Sequence, residues 1–164
     1  MQTLLSLDIS TKSTGYAIFQ DQTLIKSGVI VPTGEVITRI EKTAQEVDKL
    51  MQQYHPDIIY AEEPEPATQK LIDVYRKLTF AHGAIAIVLN HYQKELELCT
   101  SSHWRKIVGI KTGAGVTRAQ LKPLDIAKAN ELFDLKTKND DLADAVLIGW
   151  SYILEHKNKE EFDW

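Results

Sequence analysis

The sequence has little of what marks secreted, membrane-spanning or disordered chains. It carries one cysteine, Cys99, in 164 residues, so a single copy forms no internal disulfide and no cysteine-based zinc site. A reducing, cytosolic setting is therefore expected. Long apolar runs are missing: the longest, residues 84–89 (AIAIVL), falls far short of the roughly 20 residues of a membrane span. The first ten residues, MQTLLSLDIS, lack a basic start and reach Asp8 too soon for a signal peptide. With 8 glycines and 5 prolines, the composition is neither collagen-like nor of low complexity. Positive charge is also short. The balance of 19 Lys+Arg against 23 Asp+Glu gives −4, which on its face disfavours a polyanion such as DNA as partner.

What is there suits one compact domain. Hydrophobic residues make up 43% of the chain, enough for a sizeable core, and the length leaves no room for two lobes. The first third reads as strands: Leu4, Leu5 and Leu7 leading into Asp8, then residues 14–19 (TGYAIF), then residues 24–31 around Gly28. The turns between them, at residues 10–13 and at Asp21-Gln22, are too short for parallel crossovers, so the three strands are antiparallel neighbours. Residues 35–54 place Val36, Ile37, Ile40, Val47, Leu50 and Met51 at helical spacing, and His55-Pro56 ends that helix. Residues 58–61 (IIYA) form a fourth strand, parallel to the first because a helix crosses over between them. The pattern then predicts a long helix over 67–92, a fifth strand over 95–100 and a short helix over 102–108. A flexible loop at 109–115 and helices over 117–133 and 139–156 complete it. The expected fold class is α/β: a mixed five-stranded sheet, three strands antiparallel and the rest parallel, flanked by helices. One domain covers 1–156, and 157–164 is a polar tail.

Acids fall at the ends of these elements. Asp8 lies near the end of the first strand, on the same face as Ser6 and Leu4. Glu62 and Glu63 close the fourth strand, and Asp140, Asp141 and Asp144 occupy the opening turns of the last helix. Positions three or four apart share a helix face, so Asp144 lies on one face with Asp141 or Asp140. Parallel pairing of strands one and four brings Asp8 and Glu62 to one sheet edge, where the last helix can deliver its aspartates. Several converging carboxylates repel one another unless a hard cation neutralises them, and Mg²⁺ favours such oxygen ligands. Each acid also has a plainer reading. Asp8 suits a turn, Asn139-Asp140-Asp141 a helix cap, and Glu62-Glu63-Pro64-Glu65 a solvated loop.

Three segments, LLSLDISTKSTGYAIF (4–19), PDIIYAEE (56–63) and DDLADAVLIGW (140–150), together resemble the RuvC family of Holliday junction resolvases within the RNase H-like superfamily. The stretch HWRKIVG followed by KTGAGVTRAQ is similar to the basic region of that family, in a form closer to phage-type members. The resemblance implies an RNase H-like nuclease with Asp8 as the shared metal ligand and Glu62, Asp141 and Asp144 as the other catalytic acids. Glu63 and Asp140 are possible additional acids. It implies Mg²⁺ or Mn²⁺, two ions per site, no organic cofactor, and a homodimer that nicks four-way DNA junctions in recombination and repair. The setting implied is the cytoplasm of a bacterial or phage-infected cell. One departure stands out. Cellular members carry an aromatic soon after the second acid, whereas here Glu63-Pro64-Glu65-Pro66 follows, which favours activity on branched DNA more broadly.

Between Cys99 and Lys128 six basic residues face one acid, Asp125, so the charge of −4 averages a basic segment with a strongly acidic remainder. Arg105, Lys106, Lys111, Arg118 and Lys122 are the candidate DNA-binding residues, and Trp104 reads as a core anchor of the short helix. Two other readings compete: a relative of the YqgF kind that cuts structured RNA, and a non-catalytic nucleic-acid-binding module. The hairpin with Asp8 and Gly15 also looks like that of actin-like ATPases, but those need two lobes.

Overall fold

The computed structural model describes residues 1–65 and 69–160. Three antiparallel strands open the chain, β1 (Thr3–Asp8), β2 (Thr14–Gln20) and β3 (Thr23–Ile30). Helix α1 (Val36–Tyr54) then crosses to β4 (Ile58–Glu62). It stops where expected, because His55 takes a left-handed conformation (φ 47°) and its N–H bonds back to the Met51 carbonyl at 3.0 Å. A 3₁₀ turn (Gln69–Leu71) leads into α2 (Ile72–His91) and then β5 (Leu96–Cys99). Three helices finish the chain: α3 (Ser101–Ile107), α4 (Arg118–Phe133) and α5 (Asp140–Glu160). The sheet order is β3-β2-β1-β4-β5, with β1 parallel to β4 and β4 parallel to β5. The mixed five-stranded α/β sheet is thus as the sequence predicts.

Alternation along β1 sorts the two cores. Leu5 and Leu7 join Ile18, Val47, Met51, Ile59, Ile85 and Leu89 beneath α1 and α2. Leu4 joins Phe19, Tyr60, Trp104, Val146 and Leu147 beneath the three C-terminal helices. The expected start of the second long helix, at 67, and Pro66 lie outside the described residues. The last helix runs to Glu160, four residues past its expected end, since HKNKE (156–160) contains no glycine or proline to stop it. The remainder of the expected tail, 161–164, lies outside the described residues. Among the described residues no helix is long and apolar enough to cross a membrane.

Candidate active site

Sheet register builds the site's floor. Leu7 of β1 pairs with Ala61 of β4 in parallel, so the next residues, Asp8 and Glu62, leave the sheet side by side at its carboxyl edge. Helix α5 starts at this edge and runs back over one face of the sheet, held by close contacts with β1 and β2. The buried Ser6 hydroxyl donates to the Ala145 carbonyl at 2.7 Å. Gly149 sits where a Cβ would meet the Ser6 hydroxyl and the Phe19 ring, and Gly15 where one would overlap the Asp141 carbonyl. Only hydrogen fits at these two positions.

The start of α5 then sets the remaining acids. Asn139 is the cap, its Oδ1 accepting the Leu142 N–H at 2.9 Å, so neither Asp140 nor Asp141 performs that role. Asp141 accepts a hydrogen bond from the Ser13 hydroxyl of the β1–β2 turn. Asp144 lies one turn further on and is 8% exposed; its Oδ1 is buried with no hydrogen-bond partner among the described residues. Asp140 is paired with Lys122 of α4. Glu63, one residue past β4, donates its N–H to the Cys99 carbonyl at 2.9 Å, and its charge bears on the Cys99 thiol.

Electrostatics tie these acids together. Burial pushes Asp8 up to about 8, helped by the charges of Glu62, Asp141 and Asp140 and opposed by Arg118. Asp144 is pushed up to about 9 by burial and by Asp8, with Arg105 opposing. Burial also raises Glu62, against a hydrogen bond from Trp104 and the charge of Arg105. For Asp140 burial acts upward, but the Lys122 bond and charge prevail and hold it below the usual carboxylate range. The charges of Glu62, Asp141 and Asp140 all act on Asp8, and Asp8 acts in turn on Asp144.

The basic residues divide. Lys106, Lys111 and Arg118 are exposed, and Lys122 is exposed but engaged with Asp140. Arg105 departs from its expected role as a DNA contact. It is 5% exposed and its fork grips the buried Asp125 of α4, with Nη2 to Oδ2 at 2.8 Å and Nε to Oδ1 at 3.2 Å. A guanidinium so enclosed cannot reach a phosphate; it faces Asp144 Oδ2 at 3.7 Å instead. Trp104 is fully buried, as a core anchor should be, yet its Nε1 also donates to Glu62 Oε2 at 2.6 Å. That bond, the Ser13–Asp141 bond and the Arg105–Asp125 pair escape sequence reasoning. Each joins residues far apart in the chain, and the one available signal is that α3 starts at the same sheet edge as Glu62.

Among the described residues no group of three or more His, Cys, Asp or Glu side chains is already gathered as a metal cage. The donor chemistry nevertheless fits a hard cation. The acids supply oxygen alone, Asp144 Oδ1 is buried with no partner among the described residues, and burial, followed by repulsion from neighbouring acids, leaves Asp8 and Asp144 reluctant to ionise without a counter-charge.

Neither a protein-family model nor a curated protein matches the sequence. Solved structures do match the fold. The RuvC of T. thermophilus in complex with a Holliday junction substrate superposes with a TM-score of 0.76 at 12% identity, over 96% of each chain. A second T. thermophilus RuvC structure gives 0.75 at 12% identity, covering 96% of this chain and 97% of that one. The yeast mitochondrial Holliday junction resolvase Ydc2 gives 0.57 at 14% identity, over 96% of this chain and 82% of its own. The protein has the fold of the RuvC Holliday junction resolvases.

Proposed function

We propose that this protein is a metal-dependent, structure-selective DNA endonuclease of RuvC type, nicking Holliday junctions and other branched DNA. The observation that carries the reading is the acid group around Asp8, with a buried unpartnered oxygen on Asp144, standing beside an exposed basic segment. Asp8, Glu62, Asp141 and Asp144 are the residues that would hold Mg²⁺ or Mn²⁺. Two such ions, when bound, activate a water and stabilise the leaving oxygen of a phosphodiester. The chain's own part is to orient and to bind. Ser13 fixes one oxygen of Asp141, and Trp104 fixes one of Glu62. Lys106, Lys111 and Arg118 supply phosphate contacts, and Lys122 ties α4, which carries Arg118, to the start of α5 through Asp140.

A homodimer belongs to the proposal, because a four-way junction presents two equivalent strands to be cut. Its support is on α2, where Val74, Phe80 and Ile87 are 52%, 59% and 66% exposed, and Phe80 and Ile87 lie two turns apart on one face. The cytoplasm of a bacterial or phage-infected cell, and phage-type subfamily membership, complete the reading.

The deciding experiment incubates the protein and Mg²⁺ with labelled four-way, three-way and duplex DNA and with a structured RNA. Paired nicks in the four-way DNA are expected. Cutting of RNA alone would replace the proposal by a YqgF-like activity, and binding without any cutting would replace it by a non-catalytic module.

A further inference from the structure

The residues that face the acid group without being acids are the informative ones, and most converge on Glu62. Its backbone carbonyl lies 2.9 Å from Nε2 of the buried His82, whose Nδ1 lies 2.8 Å from the Leu78 carbonyl one turn earlier in α2. Its side chain is held from the other side by α3, where Trp104 Nε1 donates to Oε2 at 2.6 Å. The indole is itself fixed. Trp104 is fully buried, and the Arg105 guanidinium lies 4.1 Å from its ring centroid. Arg105 in turn is locked by its fork to Asp125 and by a bond to the Ser101 hydroxyl.

The terminal torsion of a glutamate is soft, so an unheld carboxylate turns freely between orientations. A single N–H donor on one oxygen selects one of them and leaves the other oxygen to face outward. Partners of this kind orient ligating carboxylates in metal sites, and their loss typically weakens metal binding about 10–100-fold.

Resting on the nuclease reading above, we infer that Trp104 is a positioning residue of this protein: its indole N–H sets the orientation of the Glu62 carboxylate for the divalent cation. The stacked Arg105, clamped to Asp125, keeps the indole in place and couples that orientation to α4, the helix that carries Arg118. The buried tryptophan therefore has two functions, one apolar in the core and one polar at the site.

Trp104→Phe tests the polar function alone, since it keeps a buried ring and removes the donor. The expected result is an unchanged circular dichroism spectrum and a Mn²⁺ dissociation constant, by isothermal titration calorimetry, raised about tenfold. In cleavage assays the larger change should fall on the Mn²⁺ concentration for half-maximal rate, with the smaller on kcat at saturating Mn²⁺. Mn²⁺ affinity within about twofold of wild type would overturn the inference. Should Trp104→Phe fail to fold, the Trp150→Phe/Trp164→Phe chain leaves Trp104 as the only indole. Mn²⁺ should quench its emission, and Glu62→Gln should abolish that quenching; emission indifferent to Mn²⁺ would overturn the inference by this route. A wild-type protein that neither binds Mn²⁺ nor cuts DNA rejects the nuclease reading and this inference together. One that binds and cuts, with Trp104→Phe identical to it, rejects the role of Trp104 only.

Discussion

Gly15 on β2 and Asp141 at the start of α5 are in such close backbone contact that a methyl group on Gly15 would overlap the Asp141 carbonyl. The contact seats the aspartate-bearing end of α5 against the strand paired with Asp8, since Asp8 and Gly15 are register partners. Gly15→Ala is therefore expected to push α5 outward. Overpacking of this sort costs roughly 1–3 kcal/mol, read as a lowered midpoint in denaturant. Because the shift falls on Asp141, Mn²⁺ affinity should fall as well. A Gly15→Ala protein with unchanged stability and unchanged Mn²⁺ affinity would show that the contact relaxes without consequence.

Asp8→Asn should abolish cleavage of four-way DNA while leaving junction binding intact or tighter. Asp8 is the acid on which Glu62, Asp141 and Asp140 all act, so replacing it takes away the proposed shared ligand and, where pH exceeds its raised value of about 8, a charge that repels phosphate. Gel-shift titration in EDTA measures binding and denaturing gels with Mg²⁺ measure cutting. A variant that cut normally would displace the metal site from Asp8.

Arg118 and Arg105 should separate binding from stability. Arg118 is exposed, so Arg118→Ala should weaken junction binding and reduce the slope of log affinity against log salt by about one, as loss of one phosphate contact requires. Arg105 is buried against Asp125, so Arg105→Ala strands a buried carboxylate and should cost about 3–5 kcal/mol of folding stability. Salt titrations and urea melts on both variants check this. An Arg105→Ala protein as stable as wild type, but with a reduced salt slope, would restore Arg105 to the DNA surface.

These two arginines also show how far the sequence could be read. Asp8 and Glu62 were legible because strand ends and a crossover fix which sheet edge they reach, and Asp141 and Asp144 because helical spacing is periodic. Nothing in HWRKIVG distinguishes Arg105 from Lys106, although one is buried and the other exposed. A basic side chain can be buried only where an acid waits for it, and that acid, Asp125, comes 20 residues later on another helix. Ser13 and Asp141 are likewise brought together by tertiary packing across 128 residues, which no local pattern encodes. The unfavourable charge of −4 resolves in the same way. Arg105 and Asp125 cancel in the interior, leaving the exposed bases of the segment for the proposed contact with DNA.

The exposed face of α2 gives a prediction about assembly. Phe80→Glu combined with Ile87→Glu places charge on the two most prominent apolar side chains of that face, both more than half exposed in one copy. The wild type should run as a dimer in light scattering after size exclusion, and the double variant as a folded monomer. Since junction resolution needs two paired nicks, the monomer should lose paired cutting before it loses DNA binding. A double variant that remained dimeric would move the interface elsewhere.

The strongest pH prediction comes from Asp8 and Asp144. Their carboxyls are pushed from an ordinary 3.8 up to about 8 and about 9, chiefly by burial and then by neighbouring acids. In metal-free protein, both groups are protonated in folded and unfolded chains below about pH 4, and neither then affects stability. As pH rises past that point the unfolded chain releases its protons and the folded chain does not, so the unfolded state is favoured increasingly. The loss becomes complete once pH passes the folded-state values of about 8 and 9. Melting temperature in EDTA should therefore fall between pH 5 and pH 9 more steeply for wild type than for Asp8→Asn, with the variant the more stable of the two at the alkaline end. Mg²⁺ binds the ionised form, so its stabilising effect on wild type should be small at pH 5 and large at pH 8. Melts of the two proteins that ran parallel across this range, with or without Mg²⁺, would mean that Asp8 titrates as an ordinary solvated carboxylate and that the acid group is not coupled.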